Sequence, residues 1–180
     1  MLLNHFKKII LVLIILEVLL QQSASAKITI AKTGDIIQVL VPSIAYGTTW
    51  YLDDLEGRSQ FYKSFTSNMA TTYALKYTIG SKRPNGGKHS FPSGHTSASF
   101  QGASFIHKRY GLRYAIPAYI AATFVGYSRF ESYNHHKRDI IAGAAIGILN
   151  SFYFTSEYKG ITIKPTASDS KFGITFIKEW

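Results

Sequence analysis

The hydrophobic positions of the chain fall into apolar segments that polar, glycine-rich or proline-containing stretches separate. Each of five segments after residue 35 is long enough for a helix. These segments are Ile36–Leu52, Phe65–Ile79, Thr96–His107, Tyr114–Tyr127 and Ile140–Phe154. An acidic loop, Asp53–Gly57, separates the first two, and Gly143 and Gly147 in the last are typical of a close helix contact. The pattern predicts an all-α fold, a bundle of about five helices over residues 27–158.

The C-terminal tail, residues 159–180, has a different pattern. Ile161–Lys164 and Gly173–Ile177 alternate between apolar and polar positions and are rich in β-branched residues. Ser168-Asp169-Ser170 lies between them and is typical of a turn. The tail is therefore predicted to be a short β-hairpin, and its pattern indicates no function.

Residues 1–26 have the pattern of an export signal or of an uncleaved membrane anchor. Lys7 and Lys8 precede the run Ile9–Leu20, which is apolar except for Glu17, and Ala24-Ser25-Ala26 is a small-residue site of the kind that signal peptidases cut. The apolar run is shorter than the roughly 20 residues that a bilayer span takes. In either case we expect the chain to enter or cross a membrane.

Two arrangements of the helices relative to the membrane remain open. If all five cross it, Gly80–His95 and Tyr127–Asp139 lie on one side. The basic turn with Lys108, Arg109 and Arg113 then lies in the cytoplasm, as the positive-inside rule favours. We expect an inner-membrane protein whose two polar loops face the periplasm or exterior. The alternative is a soluble periplasmic bundle.

The amino-acid composition excludes several kinds of functional site and one class of partner. Lys and Arg number 20 against 10 Asp and Glu, so the formal net charge is +10. Such a charge suits nucleic acid, an acidic membrane surface or an anionic substrate, but the cations are scattered, so no nucleic-acid partner is predicted. Because the chain has no cysteine, disulfides, Cys-ligated zinc, iron–sulfur clusters and thiol nucleophiles are excluded.

Three polar clusters carry the candidate chemistry. They are Lys76 with Arg83-Pro84, then Pro92-Ser93-Gly94-His95, then Ser128-Arg129 with His135 and Asp139. Each alone has a structural explanation: a cation at a helix end, a turn, a helix cap, or an exposed pair four residues apart on a helix.

Together the clusters form a coherent anion site. Lys76, Arg83 and Arg129 supply three cations suited to phosphate oxygens. Ser93 and Gly94 lie where a loop enters a helix, so their backbone N–H groups can point at an oxyanion. Asp139, one predicted helical turn after His135, can accept from one ring nitrogen and leave the other as a nucleophile. Two histidines and a carboxylate suit metal-free phosphoryl transfer.

The combined pattern Lys-x6-Arg-Pro, Pro-Ser-Gly-His and Ser-Arg-x5-His-x3-Asp resembles the signature of the type 2 phosphatidic acid phosphatase (PAP2) and vanadium haloperoxidase superfamily. The resemblance is strong from Lys76 to Gly147. It implies a helical bundle with one phosphate pocket, and dephosphorylation through a phosphohistidine without a metal or other cofactor. It also implies that His135 is the nucleophile, Asp139 its orienting residue and His95 the general acid. The implied phosphate-binding residues are Lys76, Arg83, Ser93, Gly94 and Arg129.

Two features depart from the family pattern or complicate it. Only seven residues separate Pro84 from Pro92, which is short for the family and leaves substrate choice open. His136 follows His135 directly, but the spacing from Arg129 and to Asp139 favours His135 as the nucleophile.

The leading hypothesis is a phosphatase for a lipid phosphate or lipid diphosphate in the cell envelope. Its partners would be the phosphorylated lipid and the membrane, and the sequence indicates no oligomeric state. Phosphatidate, phosphatidylglycerol phosphate, an isoprenoid diphosphate and lipid A phosphate fit equally well. The alternatives are a soluble exported acid phosphatase of broad specificity, a vanadate-dependent haloperoxidase, and an inactive anion-binding membrane protein. The complete catalytic set argues against the last.

Overall fold

A computed structural model describes the backbone of residues 23–158, 161–168 and 171–178, and the side chains of residues 29–158. The described chain forms five helices, which confirms the predicted helical bundle. The helices are α1 (Ser23–Tyr51), α2 (Leu55–Ile79), α3 (Gly94–Tyr110), α4 (Leu112–Glu131) and α5 (Lys137–Phe154). Two strands follow, β1 (Ile161–Ser168) and β2 (Lys171–Lys178).

The two strands pair antiparallel within the C-terminal tail. Ile161 lies opposite Lys178, and Ser168 lies opposite Lys171. The side chains of both strands lie outside the described residues.

The first helix begins well before the predicted apolar segment at Ile36. It includes the polar stretch Lys32–Asp35, which makes contacts inside the molecule that are described with the site. The predicted export signal, residues 1–26, lies outside the described residues except for Ser23–Ala26, which start α1.

In the part of the chain that the structure describes, no helix has the length and apolar character that a bilayer crossing requires. The expectation of five membrane-spanning helices is therefore not supported. Charged side chains interrupt the apolar stretches, as in α2, which contains Glu56, Arg58, Lys63 and Lys76.

The predicted acidic loop Asp53–Gly57 is instead a tight turn that starts α2. Asp54 is the N-cap, and its carboxylate accepts a hydrogen bond from the backbone N–H of Gly57 at 2.8 Å. Aspartate is a favoured N-cap because its oxygens accept from the otherwise unpaired N–H groups of the first turn.

Asp54 also holds α3 in place through a buried ion pair with Arg109. The guanidinium donates to the carboxylate at 2.5 and 2.7 Å, and the Tyr110 hydroxyl donates to it at 2.9 Å. Arg109, predicted from the sequence to belong to a basic turn, lies in the last turn of α3 and is 3% exposed. A buried guanidinium with a bidentate carboxylate partner fastens this end of the bundle.

The central helix is α3, which packs against each of the other four helices. Its contact with α5 is close because α5 presents glycines. A Cβ added at Gly143 would lie 2.5 Å from the Ser93 carbonyl oxygen, and one at Gly147 would lie 2.7 Å from the backbone nitrogen of Gln101. The predicted close helix contact is thus confirmed, and it brings the start of α5 against the start of α3.

A row of hydrogen-bonded polar side chains is buried between α2 and α3. The Ser97 hydroxyl donates to the Asn68 side-chain oxygen at 2.6 Å and lies 2.8 Å from the Thr72 hydroxyl. One turn further along α3, the Gln101 amide donates to the Ser64 hydroxyl at 2.9 Å. Because burying a polar group is costly unless it is hydrogen-bonded, these side-chain hydrogen bonds fix how α2 and α3 are aligned.

We expect Gly143→Ala to lower the free energy of unfolding by about 1–3 kcal/mol, because the added methyl group meets backbone rather than a flexible side chain. Chemical unfolding monitored by circular dichroism measures the change. The matched control is Gly47→Ala in α1, where an added Cβ meets no atom within 4 Å. Equal stability of the two variants would contradict the close packing of α3 on α5.

Candidate functional site

Lys76 lies in the last turn of α2 and is buried, so it is not a cation pointing outward at a helix end. Its Nζ donates to the backbone carbonyls of His89 at 2.9 Å and Pro92 at 2.7 Å. Two of its three N–H bonds therefore hold the loop between α2 and α3, and one remains for a ligand. Burial, together with the nearby charge of Arg83, lowers the pKa of Lys76 to about 8, which leaves it charged at neutral pH.

Arg83 lies in a turn of the same loop. Its backbone N–H donates to the Gly87 carbonyl at 2.7 Å, and its Nε donates to the Lys88 carbonyl at 3.2 Å. Its positive charge acts on both candidate catalytic histidines, since it lowers the pKa of His95 and of His135. The loop therefore brings the Arg83 charge to both imidazoles.

Ser93 is the N-cap of α3. Its hydroxyl accepts from the Thr96 N–H at 3.4 Å, and its own N–H donates to the Asp139 carbonyl at 2.8 Å. The expectation of a free Ser93 N–H for an oxyanion is therefore wrong, because the approach of α5 occupies it. The other predicted backbone donor, Gly94, is the first residue of α3. The N–H groups of a first helical turn have no acceptor within the helix, so the Gly94 N–H can donate to an anion.

Packing within the protein does not require a glycine at position 94. The heavy atom nearest to an added Cβ is Thr72 Cγ2, at 3.8 Å, which is an ordinary contact. The space in front of the start of α3 is therefore large enough for a methyl group, and in the native chain it is left open.

His135 and Asp139 are buried, at 2% and 0% exposure, but they do not pair as predicted. Because α5 begins at Lys137 with His136 as its N-cap, His135 precedes the helix instead of lying one turn before Asp139 on its surface. His135 Nδ1 lies 3.8 Å from Asp139 Oδ2, which is longer than a hydrogen bond. That oxygen accepts instead from the His136 backbone N–H at 2.9 Å.

Ser90 connects the two residues. Its hydroxyl donates to Asp139 Oδ2 at 2.5 Å, and the same Oγ lies 3.4 Å from His135 Nδ1. Ser90 is fully buried. Ser90 was not predicted as a site residue, although its position directly before Phe91 and the Pro92–His95 motif was a usable signal.

His135 is neutral at physiological pH. Burial, reinforced by the positive charges of Arg83 and Lys76, lowers its pKa to about 3 against the opposing effect of Asp139. Because the Ser90 hydroxyl donates its hydrogen bond to Asp139, its oxygen faces His135 Nδ1 as an acceptor. This assigns the ring proton to Nδ1 and leaves a lone pair on Nε2. A neutral imidazole with a free lone pair among cations is suited to attack on an anionic electrophile.

Arg129 and His95 meet at a residue that the sequence analysis also missed. Asp35 of α1 places Oδ1 2.7 Å from Arg129 Nη1 and 3.0 Å from His95 Nε2. Arg129 also donates to the Ala31 carbonyl and, at 3.1 Å, to the Ser128 hydroxyl. The polar stretch before the first predicted helix thus contributes to the site.

The described structure brings the three motifs together at one end of the bundle. Lys76, Arg83, His95 and Asp139 all act on the pKa of His135, and Arg129 acts on that of His95. His136 lies to one side, with Nε2 3.3 Å from the Lys82 carbonyl oxygen.

Residues 54–160, more than half of the chain, match the family model described as the PAP2 superfamily. The chain belongs to the PAP2 superfamily. The match covers α2 to α5 and every predicted site residue, whereas Asp35 lies outside it.

Similar proteins include two lipid A phosphatases. The chain is 42% identical to the lipid A 1-phosphatase of Porphyromonas gingivalis over 80 aligned residues, and this alignment covers 42% of this chain and 18% of that protein. It is 24% identical to the lipid A 4'-phosphatase of Helicobacter pylori over 168 aligned residues, and this alignment covers 83% of this chain and 84% of that protein. The match therefore spans less than a fifth of the first relative and most of the second.

The PAP2 fold is also seen in a solved structure. The crystal structure of Aquifex aeolicus LpxE superposes with a TM-score of 0.64 at 18% sequence identity, covering 74% of this chain and 87% of that one. At this identity the comparison establishes the helical fold.

Proposed function

We propose that this protein is a phosphatase that hydrolyses a lipid phosphate or lipid diphosphate through a phosphohistidine intermediate, without a metal. The observation that carries the proposal is the convergence of the three motifs around His135, which is 2% exposed and whose pKa is lowered to about 3 by burial, Arg83 and Lys76. An imidazole held neutral beside cations can attack phosphorus while those cations stabilise the phosphate oxygens.

In the first step, His135 Nε2 attacks phosphorus. The new P–N bond forms as the P–O ester bond breaks, and the electron pair of that bond goes to the leaving oxygen with a proton from His95. The charge on the equatorial oxygens is stabilised by three cations and one backbone donor. These groups are Lys76, Arg83, Arg129 and the N–H of Gly94.

In the second step, water attacks the phosphohistidine. His95, neutral after the first step, takes a proton from the water as the P–N bond breaks, and inorganic phosphate is released. Ser90 and Asp139 stabilise the positive charge that His135 carries while it is phosphorylated, because Asp139 Oδ2 is hydrogen-bonded to the Ser90 hydroxyl at 2.5 Å. Both histidines then return to their starting protonation states.

Two observations support a lipid as the substrate. The similar proteins from P. gingivalis and H. pylori are lipid A phosphatases. In addition, an exposed apolar stripe follows directly after Asp35 along one face of α1. Its members are Ile36, Val39, Leu40 and Ile44, which are 48–60% exposed. An apolar surface beside an anion site fits a substrate with a charged head and an apolar body.

We place the enzyme in the cell envelope, with its site facing away from the cytoplasm, because residues 1–26 have the pattern of an export signal. A reporter enzyme inserted after Gly86, in the exposed part of the loop between α2 and α3, tests this location. An extracytoplasmic signal supports the proposal, and a cytoplasmic one contradicts it.

Phosphate release from a panel of substrates, with and without EDTA, tests the proposed function. The panel holds phosphatidate, phosphatidylglycerol phosphate, an isoprenoid diphosphate, lipid A, and water-soluble aryl and sugar phosphates. Turnover of lipid substrates alone, unchanged by EDTA, is the expected result. Broad turnover of soluble esters would favour an acid phosphatase, and activity that requires vanadate, peroxide and halide would favour a haloperoxidase.

We expect Ser90→Ala to lower kcat by about 10- to 100-fold with little change in KM, since Ser90 acts on His135 and Asp139 and not on the phosphate. Steady-state kinetics on the preferred substrate measures this. The matched control is Ser104→Ala, which removes another fully buried hydroxyl, one that lies 3.1 Å from the Tyr119 hydroxyl. Each variant loses a hydrogen bond worth about 1 kcal/mol of stability, so equal effects on kcat would contradict a special role for Ser90.

A further inference from the structure

Asp35 is the carboxylate that contacts the proposed general acid. Its Oδ1 accepts from His95 Nε2 at 3.0 Å and from Arg129 Nη1 at 2.7 Å. It belongs to α1, outside the residues that match the PAP2 family model, and its side chain is about half exposed. Asp35 Oδ1 therefore contacts both the proposed general acid His95 on α3 and Arg129 on α4.

The backbone of α1 fixes the position of this carboxylate. The Ala31 carbonyl accepts from Arg129 Nη2, one helical turn before Asp35. A Cβ added at Gly34 would lie 2.6 Å from Arg129 Nη2 and 2.8 Å from Ser128 Cβ. Only a glycine lets α1 come this close, so the contact of Asp35 with His95 is built into the packing of α1 on α4.

We propose that Asp35 is a positioning residue for His95, which fixes the orientation of the imidazole and keeps a proton on it. The inference rests on the proposed function, in which His95 is the general acid. Asp35 engages Nε2, so Nδ1 is the nitrogen that gives its proton to the leaving oxygen as the electron pair of the P–O bond moves to that oxygen. Nε2–H stays hydrogen-bonded to Asp35, which remains a carboxylate throughout.

The charges around His95 make this carboxylate necessary. The charged or titratable groups that act on it are Arg129 from α4, Arg83 from the loop before α3, His135 from the turn before α5, and Asp35 from α1. Burial and the two arginines lower the pKa of His95, whereas Asp35 raises it. Without Asp35, the pKa of His95 would be lower still, and the imidazole would lose its proton at a lower pH.

The test compares Asp35→Asn with wild type and with Asp53→Asn. Asparagine keeps the size of the side chain and its acceptor oxygen but removes the charge. Asp53, beyond the C-terminal end of α1, has a side chain that is 89% exposed and pairs with Arg58, so it is the control for loss of one negative charge. Circular dichroism checks the fold. Asp35→Ala, for which the same fall in the His95 midpoint is expected, replaces the asparagine variant if that variant is unfolded, and Asp35→Glu is the conservative variant that keeps the charge.

The first measurement is an NMR titration of the His95 ring, assigned with His95→Gln. We expect the midpoint in Asp35→Asn to fall by about one pH unit, and that in Asp53→Asn and Asp35→Glu to stay within a few tenths of wild type. An unchanged midpoint in Asp35→Asn overturns the proposal. This measurement needs no turnover, so it decides the role of Asp35 even if the panel of substrates shows no phosphatase activity.

The second measurement is the dependence of the single-turnover rate of His135 phosphorylation on the leaving group, with two substrates that carry the same long alkyl chain. For an alkyl phosphate, whose leaving oxygen needs a proton, we expect this rate in Asp35→Asn to fall by about 10- to 100-fold. For the phosphate of a nitrophenol that carries the chain, whose leaving group needs no proton, we expect a loss below about 3-fold. An equal loss with both substrates would show a merely structural role and overturn the proposal.

Discussion

Replacing His135 with alanine is expected to abolish turnover, with a loss on the order of 10⁵- to 10⁶-fold, as when a catalytic nucleophile is removed. The reason is chemical, because the imidazole Nε2 forms the bond to phosphorus and alanine offers no substitute. Single-turnover kinetics with purified protein measures the loss. Far-UV circular dichroism establishes that the variant is folded.

The matched control is the neighbouring histidine. His136→Ala is expected to keep most of the activity, because its ring faces the Lys82 carbonyl, and because Asp139 is held by the backbone N–H of residue 136, which alanine retains. If His136→Ala were inactive and His135→Ala active, the assignment of the nucleophile would be wrong while the phosphatase proposal stood.

Asp139→Asn is expected to lower kcat by about 10⁴-fold, the loss seen when the carboxylate of a Ser-His-Asp triad is neutralised. Asparagine can still accept from the His136 backbone N–H and start α5, so we expect the fold to be kept. It can no longer offset the positive charge that develops on His135. KM should change little, since Asp139 lies behind the histidine and away from the phosphate.

Steady-state kinetics at several pH values checks the prediction for Asp139. Asp53→Asn again serves as the control for a lost carboxylate, since that side chain is exposed and lies beyond the C-terminal end of α1. Activity of Asp139→Asn within about 10-fold of wild type would contradict the role given to the carboxylate.

Much of the fold could be predicted from the sequence, because apolar segments and breaking residues alternate clearly. The errors lie at helix starts. Lys32–Asp35 and Asp53–Gly57 are polar and look like loops. The first stretch is instead helical and contacts Arg129, and the second contains the N-cap Asp54 and the start of α2. Whether a polar stretch is helical depends on these contacts, and hydrophobic patterns do not show them.

The candidate site shows the same limit. The spacing within the three motifs predicted which residues come together, but not how they are linked. Ser90 lies between His135 and Asp139, and Asp35 reaches His95 from a helix far away in the sequence. Both depend on the tertiary approach of separate elements, for which the sequence has no local pattern.

The two histidines differ because their surroundings differ. His135 is 2% exposed and lies near two cations, so it is neutral and suited to attack. The His95 side chain is 37% exposed, and the Asp35 carboxylate at 3.0 Å opposes the lowering of its pKa by burial and the arginines, which favours a proton on this ring. Two imidazoles in one site thus take opposite roles through burial and neighbouring charge.

The most direct test of the proposed mechanism is to trap the covalent intermediate. Protein is mixed with a substrate labelled in the transferred phosphate, quenched within one turnover and digested, and the labelled peptide is sequenced by mass spectrometry. We expect a label on His135 that is lost in acid and kept in base, as phosphohistidine is, and that is absent from His135→Ala. Turnover with no protein-bound phosphate, or with the label on another residue, would contradict this mechanism.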